Sequence, residues 1–110
     1  MSSAAADLKH RRGLACTAFW ELEKLWRAKH VTLRMKLNIY KASVISILLY
    51  GCETWIVNEN MADKINSFAT NCYRIMLGIR KTDRVRNDMI YEIVRERPLL
   101  HTSQRHHMAA

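Results

Sequence analysis

Apolar positions in this chain recur at intervals of three and four residues, the spacing that lines one face of a helix. Leu8, Ala15, Phe19, Leu22 and Trp26 are separated by seven, four, three and four positions. That stripe predicts an amphipathic helix from about Asp7 to His30, with Asp7 as a possible cap and Gly13 a weak point of about 1 kcal/mol relative to alanine. Thr32 is placed to cap a second helix whose inward line is Leu33, Leu37, Tyr40, Val44, Ile47, Leu48 and Gly51. From Ala42 to Tyr50 this helix is apolar nearly all round, which predicts a central, protein-surrounded position. The β-branched Val44, Ile45 and Ile47 leave a strand open for that half, but continuity with the preceding 3.6-residue period favours helix.

A third helix opens at Asn58 or Asn60, turns Met61, Ile65, Phe68, Cys72, Ile75 and Met76 inward, and closes at Gly78, where glycine suits a left-handed residue. A shorter fourth helix covers about Asn87 to Arg95, using Ile90, Ile93 and Val94, and stops before Pro98. The expected fold is all-α: a small bundle of three long helices and a short fourth, spanning residues 7–97, followed by a polar, His-rich tail at 98–110. A chain of 110 residues is sized for one such domain. Its 49% apolar content, single proline and three glycines argue against disorder and against a turn-rich β fold.

Charge adds a partner to this picture. Eighteen Lys and Arg against ten Asp and Glu give +8, a surplus that favours polyanions such as nucleic acid or an anionic surface, although solvated bases are the plainer reading. Lys9, Cys16, Trp20 and Arg27 form a second stripe on helix 1, about 100° from the core stripe. There Lys9 and Arg27 can neutralise phosphates, while Trp20 is read first as packing against another element and second as lying against a sugar or base. Arg34, Asn38 and Lys41 lie on the outer side of helix 2, either solvated or on phosphate. Arg80, Lys81, Arg84 and Arg86 place four bases in seven residues beside a helix start, with Thr82 and Asn87 as further hydrogen-bonding groups.

Other chemistry is thinner. Cys16, Cys52 and Cys72 contain no CxxC pair, and with His10, His30, His101, His106 and His107 they do not reproduce a zinc spacing, so no metal site is expected. The longest apolar run, Ala42 to Cys52, falls short of the roughly 20 residues that cross a bilayer. No membrane association is expected, and the start of the chain lacks a secretory pattern, which predicts an intracellular, reducing setting with free thiols.

Four segments carry a family resemblance: DLKHRRGLACTAFWELEKLW (Asp7 to Trp26), KLNIYKASVISILLYGCETW (Lys36 to Trp55), FATNCYRIMLGI (Phe68 to Ile79) and DRVRNDMIYEIV (Asp83 to Val94). In this order they resemble the C-terminal part of the reverse transcriptase in endonuclease/reverse transcriptase polyproteins of LINE-type, non-LTR retrotransposons. The second segment, ending in Leu-Leu-Tyr-Gly-x-Glu-x-Trp, is the most specific. The resemblance implies a helical thumb and its extension, which hold an RNA/DNA hybrid or duplex while a separate palm performs RNA-directed DNA synthesis. It also implies a nuclear setting for the parent element.

The family's palm carries Tyr/Phe-x-Asp-Asp for Mg2+-assisted transfer, and this chain has no adjacent acidic pair. No cofactor, no catalytic residue and no polymerase activity are therefore expected of it alone. The family's Arg-rich helix and Cys/His knuckle are likewise missing after Leu100, so the chain reads as a remnant or partial translation with the grip and without the active site. Tyr50, Gly51, Glu53 and Trp55 are read as structural: the two aromatics pack in the bundle, Glu53 pairs locally and Gly51 permits close helix approach. The alternative function is a protein-interaction or orphan helical module whose exposed apolar faces drive self-association.

Overall fold

The computed structural model describes residues 4–52, 55 and 58–96. Its helices are α1 (Ala4–Glu21), α2 (Glu23–Arg27), α3 (Leu33–Tyr40), α4 (Ser46–Leu48), α5 (Glu59–Leu77) and α6 (Asn87–Val94), with no strand among the described residues. The all-α expectation holds. The polar tail, Pro98, the three histidines beyond it, Glu53 and Thr54 lie outside the described residues.

The first expected helix is two. It already runs at Ala4, so Asp7 sits within it rather than capping it, and it breaks at Leu22 (φ −105°, ψ 24°). The break frees the Phe19 carbonyl from a regular helical partner. That oxygen accepts from the Leu22 backbone N–H at 3.1 Å and from the buried Trp26 indole Nε1 at 2.6 Å. Trp26 thereby buries its ring with its polar N–H satisfied, stacked on Phe19 at 5.0 Å and 11°. The stripe Leu8, Ala15, Phe19 and Trp26 is buried as expected. The chain then leaves helical geometry at Ala28, short of the expected His30.

Thr32 caps α3, its hydroxyl accepting from the Met35 N–H at 3.2 Å. The helix continues through a π turn, Lys41–Ile45, into α4. Tyr40, Val44 and Leu48 are spaced by successive fours, which drift off one face of a 3.6-residue helix; the wider π turn absorbs that drift and all three stay buried. This helix is not, however, the centre of the bundle. Ala42 and Ser46 are exposed, and Ile45, Ile47 and Leu49 only half-buried. Ser43 and Ser46 donate to the Ile39 and Ala42 carbonyls of their own helix at 2.6 and 2.7 Å. Small side chains satisfied within the helix let its outer face meet water, despite a sequence that scores as apolar throughout.

The hub is α5, which packs against α1, α2, α3 and α6. Asn58 caps it, accepting from the Met61 N–H at 2.9 Å. Gly78 closes it at φ 72°, with the Ile79 N–H reaching back to the Arg74 carbonyl at 2.9 Å. Beyond the expected inward set, Ala62, Ala69, Thr70 and Tyr73 are buried, whereas Phe68 and Ile75 are half-buried at its margin. Thr70 is satisfied by the Asn66 and Ser67 carbonyls, each at 3.1 Å.

Helix α6 buries Ile90 and Val94 against α5 but leaves Ile93 45% exposed, because Tyr91, not Ile93, completes the inward side. It ends at a left-handed Arg95 (φ 56°), one residue earlier than expected and well before Pro98.

Candidate nucleic-acid interface

Helices α1 and α5 lie side by side and run in the same direction. Ala5 to Lys9 face Asn58 to Lys64, Arg12 and Cys16 face Lys64 to Asn71, and Cys16 to Trp20 face Phe68 to Ile75. Both helices present a line of side chains beside their buried stripes: Lys9, Arg12, Cys16 and Trp20 on one, Lys64, Phe68, Asn71 and Ile75 on the other. Those lines form the walls of one open groove. Three bases, Lys9, Arg12 and Lys64, stand at its first half with the amides of Asn58 and Asn60, and no wall residue there is acidic. Such a strip of bases attracts phosphate.

Of the bases singled out from the sequence, Lys9 belongs to this groove. Arg27 does not, because the break at Leu22 puts it on α2, where its Nε donates to Glu23 Oε2 at 3.0 Å. Lys41 is held by Glu96 at 2.7 Å, an ion pair linking the π turn to the end of α6. Arg34 is exposed on α3, and the neighbouring base Lys36 is buried.

The loop between α5 and α6 carries Arg80, Arg84 and Arg86 on the surface. Lys81 lies in its short 3-10 turn, Lys81–Asp83. Asp83 Oδ2 accepts from the Arg80 backbone N–H at 2.8 Å, Arg84 is left-handed at φ 52°, and Arg86 meets Asp88 at 3.5 Å in a fully solvated pair of little energetic weight. Asn87, expected to donate toward a phosphate, instead accepts from Arg74 at 2.6 Å through Oδ1, while the same Arg74 nitrogen donates to the Val85 carbonyl at 2.8 Å. Arg74 thus clamps the loop to α5, and joins the Phe68 to Ile79 segment to the Asp83 to Val94 segment.

The Leu-Leu-Tyr-Gly segment also has a structural part. Tyr50 is 72% exposed rather than packed in the bundle, with the Arg11 guanidinium 4.8 Å above its ring. Gly51 supplies a left-handed turn at φ 75°, and nothing approaches closely enough to its Cα to require the missing Cβ, so it serves the turn and not helix approach. Trp55 is buried.

Sequence reasoning missed Arg12, Lys64 and Asn71. Their signal was present within each helix, since Arg12 follows Lys9 by three and Asn71 follows Lys64 by seven, but which helices are neighbours is not written in either stripe.

Beneath the groove, Cys72 and Tyr40 form a dry polar contact. Burial pushes the Cys72 thiol up to about 12, partly offset by Tyr40. Burial, and then the neighbouring Cys72 and Tyr73, push the Tyr40 phenol far above its ordinary value. The thiol is a weak partner and the geometry falls short of a hydrogen bond, so the Tyr40 hydroxyl is unpaired. No disulfide joins the three cysteines, of which Cys16 is exposed, Cys52 half-buried and Cys72 buried. Among the described residues no cluster of His, Cys, Asp and Glu could hold a metal, and no helix is long and apolar enough to cross a membrane.

No family model, curated protein or solved structure matches the chain.

Proposed function

We propose that the chain is a helical grip for nucleic acid, the template-primer-holding part of a retrotransposon-type reverse transcriptase without its palm. The observation that carries this reading is the acid-free convergence of Lys9, Arg12 and Lys64 along the α1–α5 groove. The exposed arginines of the α5–α6 loop supply a second set of phosphate contacts. The four sequence segments that resemble the LINE-type enzymes support the same assignment. On it, the partner is an RNA/DNA hybrid or duplex held through its backbone, the chain itself is not a polymerase, and the parent element works in the nucleus.

Backbone contact releases counterions, so affinity must fall steeply with salt. With about six phosphates engaged, three in the groove and three at the loop, polarisation titration of a labelled hybrid should show a loss on the order of a thousandfold between 50 and 200 mM salt. Replacing Lys9, Arg12 and Lys64 together by alanine should lower the slope of log K against log salt by about three. A flat salt response overturns the grip.

A second reading, a self-associating interaction module, is favoured by Met89 and Ile93, which lie one turn apart on α6 at 48% and 45% exposure. Light scattering separates the two: a discrete dimer that ignores the hybrid supports the module, and a monomer that binds it supports the grip.

A further inference from the structure

The far end of the α1–α5 groove has a composition that phosphate contact leaves unused. Beyond Cys16 the walls change from bases to Trp20, Phe68 and Ile75, with the Asn71 amide at the transition, around a recess of about 220 Å³. Trp20 stands there 43% exposed, braced edge-to-face against the buried Phe19 at 5.4 Å and 85°. Trp26 and Trp55 are buried, which makes Trp20 the indole accessible to a ligand. Along α1, Trp20 lies about 12 Å beyond Arg12 and about 16 Å beyond Lys9 at the helical rise. At a stacked spacing of 3.4 Å per nucleotide those distances correspond to roughly three to five nucleotides of one strand.

Along its length a duplex offers this recess sugar, phosphate and base edges but not base faces, which are stacked inside. An unpaired strand offers base faces, and a base suits an aromatic wall with an amide at its edge. We propose that the recess takes an unpaired nucleobase against Trp20, so that the groove binds a single-stranded segment whose phosphates run over Lys9, Arg12 and Lys64. This rests on the nucleic-acid reading above and adds a preference that backbone contact alone does not produce.

The test is a pair of titrations of the full chain at 50 mM salt, with a short single-stranded oligonucleotide and with the blunt duplex of the same sequence, reading both polarisation and tryptophan emission. The single strand should bind about tenfold more tightly and quench the emission, and Trp20→Ala should lower the ratio of single-strand to duplex affinity about tenfold. Trp20→Phe should keep most of that ratio, since it keeps an aromatic face. Equal affinities without quenching, together with a steep salt dependence, would overturn the base site and leave the phosphate grip standing. Quenching by heparin, a polyanion without bases, would also overturn it. Failure of every oligonucleotide to bind would remove both readings.

Discussion

Two buried polar groups at the residue scale show opposite solutions to the same problem. The Trp26 indole N–H is buried beside a carbonyl released by a helix break and bonds to it at 2.6 Å. The Tyr40 hydroxyl is buried beside the Cys72 thiol without a hydrogen-bond partner. An unpaired buried hydroxyl costs about 1–3 kcal/mol, so Tyr40→Phe should raise stability by about 1 kcal/mol in denaturant titration. Alkaline pH acts on the same cluster. The Cys72 thiol has its folded-state pKa raised by burial, so its contribution is complete below the ordinary thiol range and is lost as pH rises toward about 12. Tyr40 and Tyr73 shift in the same direction, also through burial. Stability should therefore decline progressively above about pH 9, and Tyr40→Phe should soften that decline.

Caps and clamps decide the elements. Asn58 holds the start of α5, the helix on which four others pack, and Asn58→Ala should cost about 1 kcal/mol of global stability, measured by chemical denaturation. At the other end, Arg74 joins α5 to the loop before α6 through Val85 and Asn87. Arg74→Ala should destabilise by about 1.5–3 kcal/mol, and amide exchange should rise first in residues 80–94, which depend on that clamp. The sequence periods located α5, its cap and its left-handed Gly78 because each is set by neighbours within one or two turns. They misjudged the half of the second helix from Ala42 to Tyr50 as central, since serines bonded to their own helix score as interruptions of a core when they are the outside of one. Ile93 was misplaced for a related reason: on so short a helix, Tyr91 and Ile93 are both compatible with the period, and only contact with α5 selects Tyr91.

On the scale of the whole molecule, the net charge of +8 is unevenly available. Arg27 and Lys41 are paired, Lys36 is buried and Arg74 is held by Val85 and Asn87; Lys24, Lys29, Arg34 and Arg95 are exposed elsewhere, and bases gather in the α1–α5 groove and the α5–α6 loop. The two surfaces should act independently. Alanine substitution of Arg80, Arg84 and Arg86 should lower the salt slope of hybrid binding by about as much as the groove triple, and the two reductions should add, because the contacts share no partner. Sub-additive slopes in the combined variant would mean that one phosphate path crosses both.

The sequence by itself determined that this chain is helical, that Thr32 caps α3 and Gly78 closes α5, most of the buried stripe of α1, part of that of α5, and that the chain is basic. These are local properties, read from spacing and residue chemistry over a few turns. Tertiary structure alone decided that α5 is the hub, that the first helix breaks at Leu22, that Arg74 meets Asn87 across thirteen residues, and that Lys9 shares a groove with Arg12 and Lys64. Each of these depends on which helix faces meet, and that choice is made by packing between distant segments, about which a single amphipathic stripe carries no information.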